Sequence, residues 1–70
     1  MQVVPENRYG VRISNEGAVW EVAILDPAGT PVSVRPCRDG AEARTYASTV
    51  RQHLSWLSPE TFRAYYRIGS

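Results

Sequence analysis

Apolar and polar residues alternate along the first half of the chain, and then the period changes. In residues 8–14, "RYGVRIS", Tyr9, Val11 and Ile13 alternate with Arg8, Arg12 and Ser14, which is the pattern of a half-buried strand. A second alternating run, 18–25, sets Trp20, Val22 and Ile24 against Val19, Glu21, Ala23 and Leu25. A third, 30–35, sets Val32 and Val34 against Ser33 and Arg35. Two turns separate the runs. "SNEG" offers Gly17 for the left-handed residue of a short hairpin loop. In "DPAG", Asp26 opens a turn, Pro27 presets φ and Gly29 closes it. Pro31 and Pro36 place the third strand at an edge, because proline cannot donate to a central ladder. Pro5 is expected to end a short lead-in.

From Asp39 the spacing becomes helical. Asp39 followed by Glu42 is a capping-box-like start. Ala43, Ala47, Val50, Leu54 and Leu57 then form one apolar stripe, with Arg44, Arg51, Gln52 and Ser55 away from it. Ser58, Pro59 and Glu60 suit the cap, first position and first turn of a second helix. About ten residues of helix are marginal alone, so this helix must dock. Phe62, Tyr65 and Tyr66 are its candidate anchors, and Gly69 its expected end. The fold class expected is α+β: a three-stranded antiparallel meander packed on one α-helix (40–57), with a short C-terminal helix (59–68). The whole chain, 1–70, reads as one domain.

Period two divides the sheet into two faces. Tyr9, Val11, Ile13, Trp20, Val22, Ile24, Val32 and Val34 are expected beneath the helix. The opposite face is expected to carry Arg8, Arg12, Ser14, Val19, Glu21, Ala23, Leu25, Ser33 and Arg35. No long segment remains to cover it, so it reads either as a solvated surface with cross-strand charge pairs or as a binding platform.

Composition narrows the classes. Apolar residues are 43% and charged residues 21% of 70, ordinary for a globular domain. A chain this short buries only about 60% of its unfolded surface, which leaves little room for a deep substrate cavity. No apolar run approaches the roughly 20 residues of a membrane helix. "MQVVPENRYG" lacks the pattern of a secretory leader, and a single Cys excludes an internal disulfide, so a cytoplasmic setting is expected. The net charge of +1 is low for a protein that grips a phosphate backbone broadly. All eight basic residues are Arg, which reads first as the codon usage of a high-GC bacterium, phage or mobile element.

The segments "YGVR", "AILDP" and "AEARTYA", with Gly17 and Trp20 between them, follow an order that resembles the plant ethylene-response-factor DNA-binding domain. The resemblance covers roughly residues 9–50 and extends to the arm-type DNA-binding domains of tyrosine-recombinase integrases. It implies a sheet backed by a helix, with the open sheet face in the major groove of DNA. Gly10, Val11, Trp20, Ile24, Asp26 and Pro27 match as structural positions, and Arg12 matches a DNA-contacting one. Ser14, Ala23, Leu25, Pro31 and Ser33 stand where the family carries other DNA-contacting residues.

No catalytic, cofactor or metal constellation is expected. His53 and Cys37, a conceivable base and nucleophile, lack an orienting third group. One Cys and one His do not make a closed zinc site. The expected function is that of a small non-enzymatic DNA-binding accessory protein. It would use Arg8, Arg12, Glu21, Ser33 and Arg35 of the open face on double-stranded DNA, with Arg44 or Arg63 on the backbone. The alternative is a protein-interaction module, such as a phage-encoded regulator of a host protein. That module would use the same face or a secondary patch of Trp56, Arg63, Tyr66 and Arg67. A third reading is a homo-oligomer paired through the edge of the first strand.

Overall fold

The computed structural model describes residues 7–68. Three strands, β1 (Gly10–Glu16), β2 (Val19–Leu25) and β3 (Pro31–Cys37), form an antiparallel sheet in the order β1-β2-β3. Two helices follow, α1 (Gly40–Trp56) and α2 (Pro59–Tyr66). The architecture is the α+β meander and helix pair expected from the sequence. α2 ends at Tyr66, two residues short of the expected 68, because Arg67 takes the left-handed conformation; Gly69 and the break at Pro5 lie outside the described residues.

β1 begins and ends later than the alternation suggests. Gly17 takes φ 64° and closes a two-residue loop with Ala18, so Asn15 and Glu16 stay in the ladder opposite Trp20 and Val19. Positive φ at the first loop residue alone is the type II′ pattern. Arg8 and Tyr9 precede the strand. There the Asn7 side-chain oxygen accepts from the Tyr9 amide at 3.0 Å, and its amide group donates to the Leu57 carbonyl at 3.3 Å.

The β2–β3 register overturns the expected faces of β3. Ala23 pairs with Val34, Val22 with Arg35 and Ile24 with Ser33, while Leu25 pairs with Pro31. Val32 is left over as a bulge, which shifts the parity of every later β3 residue. Ser33, Arg35 and Cys37 therefore share the helix side with Val22 and Ile24. Val34 lies on the open side and is 53% exposed, and Val32 is exposed too. Arg35 and Ser33, expected on the open face, are thus on the other one. The Arg35 guanidinium lies over the Tyr46 ring of α1, 4.6 Å from its centroid. Cys37 packs against the cluster of Val22, Ala43 and Ala47.

Proline explains the bulge. A two-residue hairpin closes on a hydrogen-bonded pair, here Glu16 and Val19. The odd-numbered residues of β2 then turn their backbone groups to β1, and the even-numbered ones turn theirs to β3. The Asp26 amide, next in that series, does donate to the Thr30 carbonyl at 2.8 Å. Pro31 and Pro36 have opposite parity, so in an unbroken register one of them would face β2 where a donor is needed. With one extra residue between them, Pro31 faces Leu25 and Pro36 faces Glu21, both at positions that bond outward.

The core lies between the sheet and both helices. Ala43, Ala47 and Val50 have no exposed surface and bring α1 close to β1 and β2. Asp39 caps α1 by accepting from the Glu42 amide at 2.8 Å, and Glu42 accepts in turn from the Arg38 amide at 3.2 Å. Ser58 caps α2 by accepting from the Thr61 amide, with Pro59 in the first turn. Its C-cap is Arg67, which takes φ 55° while the Ile68 amide donates to the Arg63 carbonyl.

Of the three candidate anchors of α2, Phe62 and Tyr66 dock and Tyr65 does not. Phe62 is fully buried, Tyr66 and Ile68 join it against Ile24 and Val50, and Tyr65 is 62% exposed. In so short a helix Phe62, Tyr66 and the αL turn that returns Ile68 define the inward side, and Tyr65 is rotated off it. Phe62→Ala is expected to cost about 3–5 kcal/mol, a large part of such a domain's stability. Tyr65→Ala is expected to cost less than about 1 kcal/mol. Denaturant unfolding of both variants checks this, and equal losses would contradict the assignment.

Candidate functional site

The sheet face turned away from both helices is open among the described residues. β2 runs down its middle. Ala23 sits at the centre between its cross-strand partners Arg12 and Val34, and is 6% exposed. Its small side chain leaves the middle of the face low and flat. Ser14 pairs with Glu21 and Pro36 pairs with Glu21 from the other side. Val19 and Val34 are each more than half exposed, and Leu25 is half-buried. The cation on this part of the sheet is Arg12, exposed, with exposed Arg8 just before β1. Of the five residues expected to form a nucleic-acid or partner site, Arg12 and Glu21 share the open face, Arg8 flanks it, and Ser33 and Arg35 are on the helix side.

The turn of Arg35 creates a second feature. Because α1 packs chiefly on β1 and β2, β3 overhangs it. The overhang forms a shallow groove of about 470 Å³ lined by Arg35, Arg38, Glu42, Thr45, Tyr46 and Thr49. Its charges largely pair within it: Arg38 meets Glu42 at 3.7 Å, and Arg35 rests on Tyr46. An exposed guanidinium on a ring is worth about 0.5–1 kcal/mol, so Arg35 is accounted for as packing.

The secondary patch divides. Trp56 is 73% exposed and Arg67 is exposed, Arg63 is half-buried, and Tyr66 turns inward. His53 Nδ1 and the Tyr66 hydroxyl lie 2.6 Å apart. The His53 ring also packs 4.6 Å from Tyr65, between centroids. This hydrogen-bonded pair ties α2 to α1. Burial first, and then the neighbouring phenols of Tyr46 and Tyr65, push the Tyr66 hydroxyl up from 10.0 to about 12. His53 is therefore a partner of the core rather than of Cys37. Cys37 packs against Ala43 and Ala47 in the first half of α1, whereas His53 lies in its last turn.

Among the described residues no group of three or more His, Cys, Asp or Glu side chains is placed to hold a metal ion. No described helix is long and apolar enough to cross a membrane. Val34 and Pro36 are the surface residues that alternation alone misses. The signal that finds them is the opposite parity of the two prolines in β3.

The raised Tyr66 value carries a stability consequence. The folded state favours the neutral phenol, so its contribution is complete below pH 10 and is lost as pH rises through about 12. Absorbance titration should show one tyrosine ionising late, near pH 12, and that step should vanish in Tyr66→Phe. The same variant should lose about 0.5–1.5 kcal/mol at neutral pH with the hydrogen bond. Four tyrosines titrating together near 10 would contradict the placement. Compared with protein-family models, with curated proteins and with solved structures, the chain matches none at a significant level.

Proposed function

We propose that this domain is a protein-interaction module that binds its partner through the open sheet face. The observation that supports this most is the place of Val34: the β3 register sets an exposed valine, not Arg35, beside Ala23. The face then combines a flat centre at Ala23, exposed Val19 and Val34, Pro36, and three charges, Arg12 against Glu16 and Glu21. Exposed apolar side chains on a flat face with few charges suit a protein partner with a similarly flat, mostly apolar surface. A nucleic-acid groove asks for several cations on one surface, and the net charge of the chain is +1.

DNA binding through Arg8 and Arg12, which the resemblance to plant and integrase domains implies, makes the opposite forecast. Titration with duplex DNA at low salt is expected to give no binding beyond weak, non-specific affinity. In affinity capture, a protein held by the wild-type domain should be lost with Val34→Glu, at least about tenfold weaker. Arg35→Ala should keep it, because that side chain points to the helices. Salt-sensitive DNA affinity that Arg12→Ala abolishes would overturn the reading, as would capture that Val34→Glu leaves intact.

A further inference from the structure

We infer that β1 is the pairing edge for a second copy of this chain, which extends the sheet to six strands across a two-fold axis. This goes beyond the proposed partner face, which it leaves open on both copies.

The two edges of the sheet are treated differently. β3 carries Pro31, Pro36 and a bulge, the usual devices that keep an edge from pairing. β1 carries none of these: seven residues pair with β2 in an unbroken register, and no strand lies on the outer side among the described residues. The hairpin parity also says which groups are on offer. Even-numbered β1 residues bond to β2, so the N–H and C=O groups of Val11, Ile13 and Asn15 point outward.

Charge then selects the register. Arg12 and Glu16 are both exposed on the open face, and among the described residues neither has an ion-pair partner. Two antiparallel copies in which Ser14 faces Ser14 place Arg12 of each directly opposite Glu16 of the other. Side chains in such pairs have Cβ atoms about 4.5–5.5 Å apart. The same register pairs Ile13 with Asn15 of the second copy, so outward-pointing backbone groups meet their own kind. A register shifted the other way would set Arg12 against Arg12.

The helices fit. Strands lie about 4.8 Å apart, and α1 sits over β1 and β2. The two α1 axes would then run about 10 Å apart, close to the 8–10 Å of packed helices. The buried stripe of α1 is Ala43, Ala47 and Val50, and its groove flank is Glu42, Thr45 and Thr49. Helical spacing puts Arg44, Ser48, Arg51 and Ser55 on the flank toward the second copy. The two serines leave space there, and the arginines are long enough to reach water.

Sedimentation equilibrium of the full chain across micromolar concentrations is the test. The wild type is expected to move from one chain mass to two as concentration rises, and to go no higher. Asn15→Pro removes an outward N–H from an exposed position and should weaken association at least about tenfold while circular dichroism stays native. Arg12→Glu should weaken it roughly tenfold, because both cross-copy pairs become repulsive. Arg12→Glu with Glu16→Arg should restore it. The charge swap decides the matter if Asn15→Pro fails to fold. A monomer at every concentration would overturn the inference, as would a swap that does not recover association. Association that Val34→Glu abolishes and Asn15→Pro leaves alone would also overturn it, in favour of face-to-face pairing.

Discussion

Everything about this domain's surface follows from where two prolines can sit in an edge strand. Pro31 and Pro36 lack a backbone donor, and they are an odd number of residues apart. A regular strand would turn one of them toward β2 and leave a β2 carbonyl unpartnered, a cost of about 1–3 kcal/mol if buried. One extra residue, Val32, settles the conflict. The sheet keeps its ladder, both prolines face outward, and every side chain from Ser33 to Cys37 exchanges faces.

The exchange has a cost and a compensation. Val34, which would fit beneath a helix, stands in solvent. Arg35 enters the side where an apolar residue would be expected. It does so at the one place where a guanidinium is tolerable, because α1 covers β1 and β2 and leaves β3 overhanging. There the guanidinium lies over the Tyr46 ring at the side of the open groove. The core needs little from β3: Ile24, Val50 and Phe62 fill one end, and Val22, Ala43 and Ala47 fill the other.

Much of the fold is legible in the residues because local signals agree with each other. Gly17, Asp26, Asp39 and Ser58 each mark a boundary, and the structure uses each as its chemistry dictates. The faces of β1 and β2 follow from alternation. The faces of β3 do not, because a bulge is invisible to a period-two count. It is visible only when the ladder is tracked residue by residue from a two-residue hairpin, and reading the loop as "SNEG" hides that starting point. In α2 the anchors Phe62 and Tyr66 are legible, but the exclusion of Tyr65 and the inclusion of Ile68 are not. Eight residues give barely two turns, so the stripe depends on the αL turn at Arg67 that brings Ile68 back to the core. The candidate surface inherits the first error. Charges grouped by alternation make a cationic face, whereas charges grouped by register leave Arg12 beside Ala23 and Val34.

The central claim is the parity of β3, and the backbone reports it without reference to any ligand. In antiparallel sheets the non-hydrogen-bonded pairs bring their Cα atoms to about 4.5 Å, close enough for strong nuclear Overhauser effects between Hα protons. The register described here predicts such effects between Ala23 and Val34 and between Glu21 and Pro36. Effects between Ala23 and Ser33 and between Glu21 and Arg35 would instead restore the unbulged strand, return Arg35 to the open face and contradict this account.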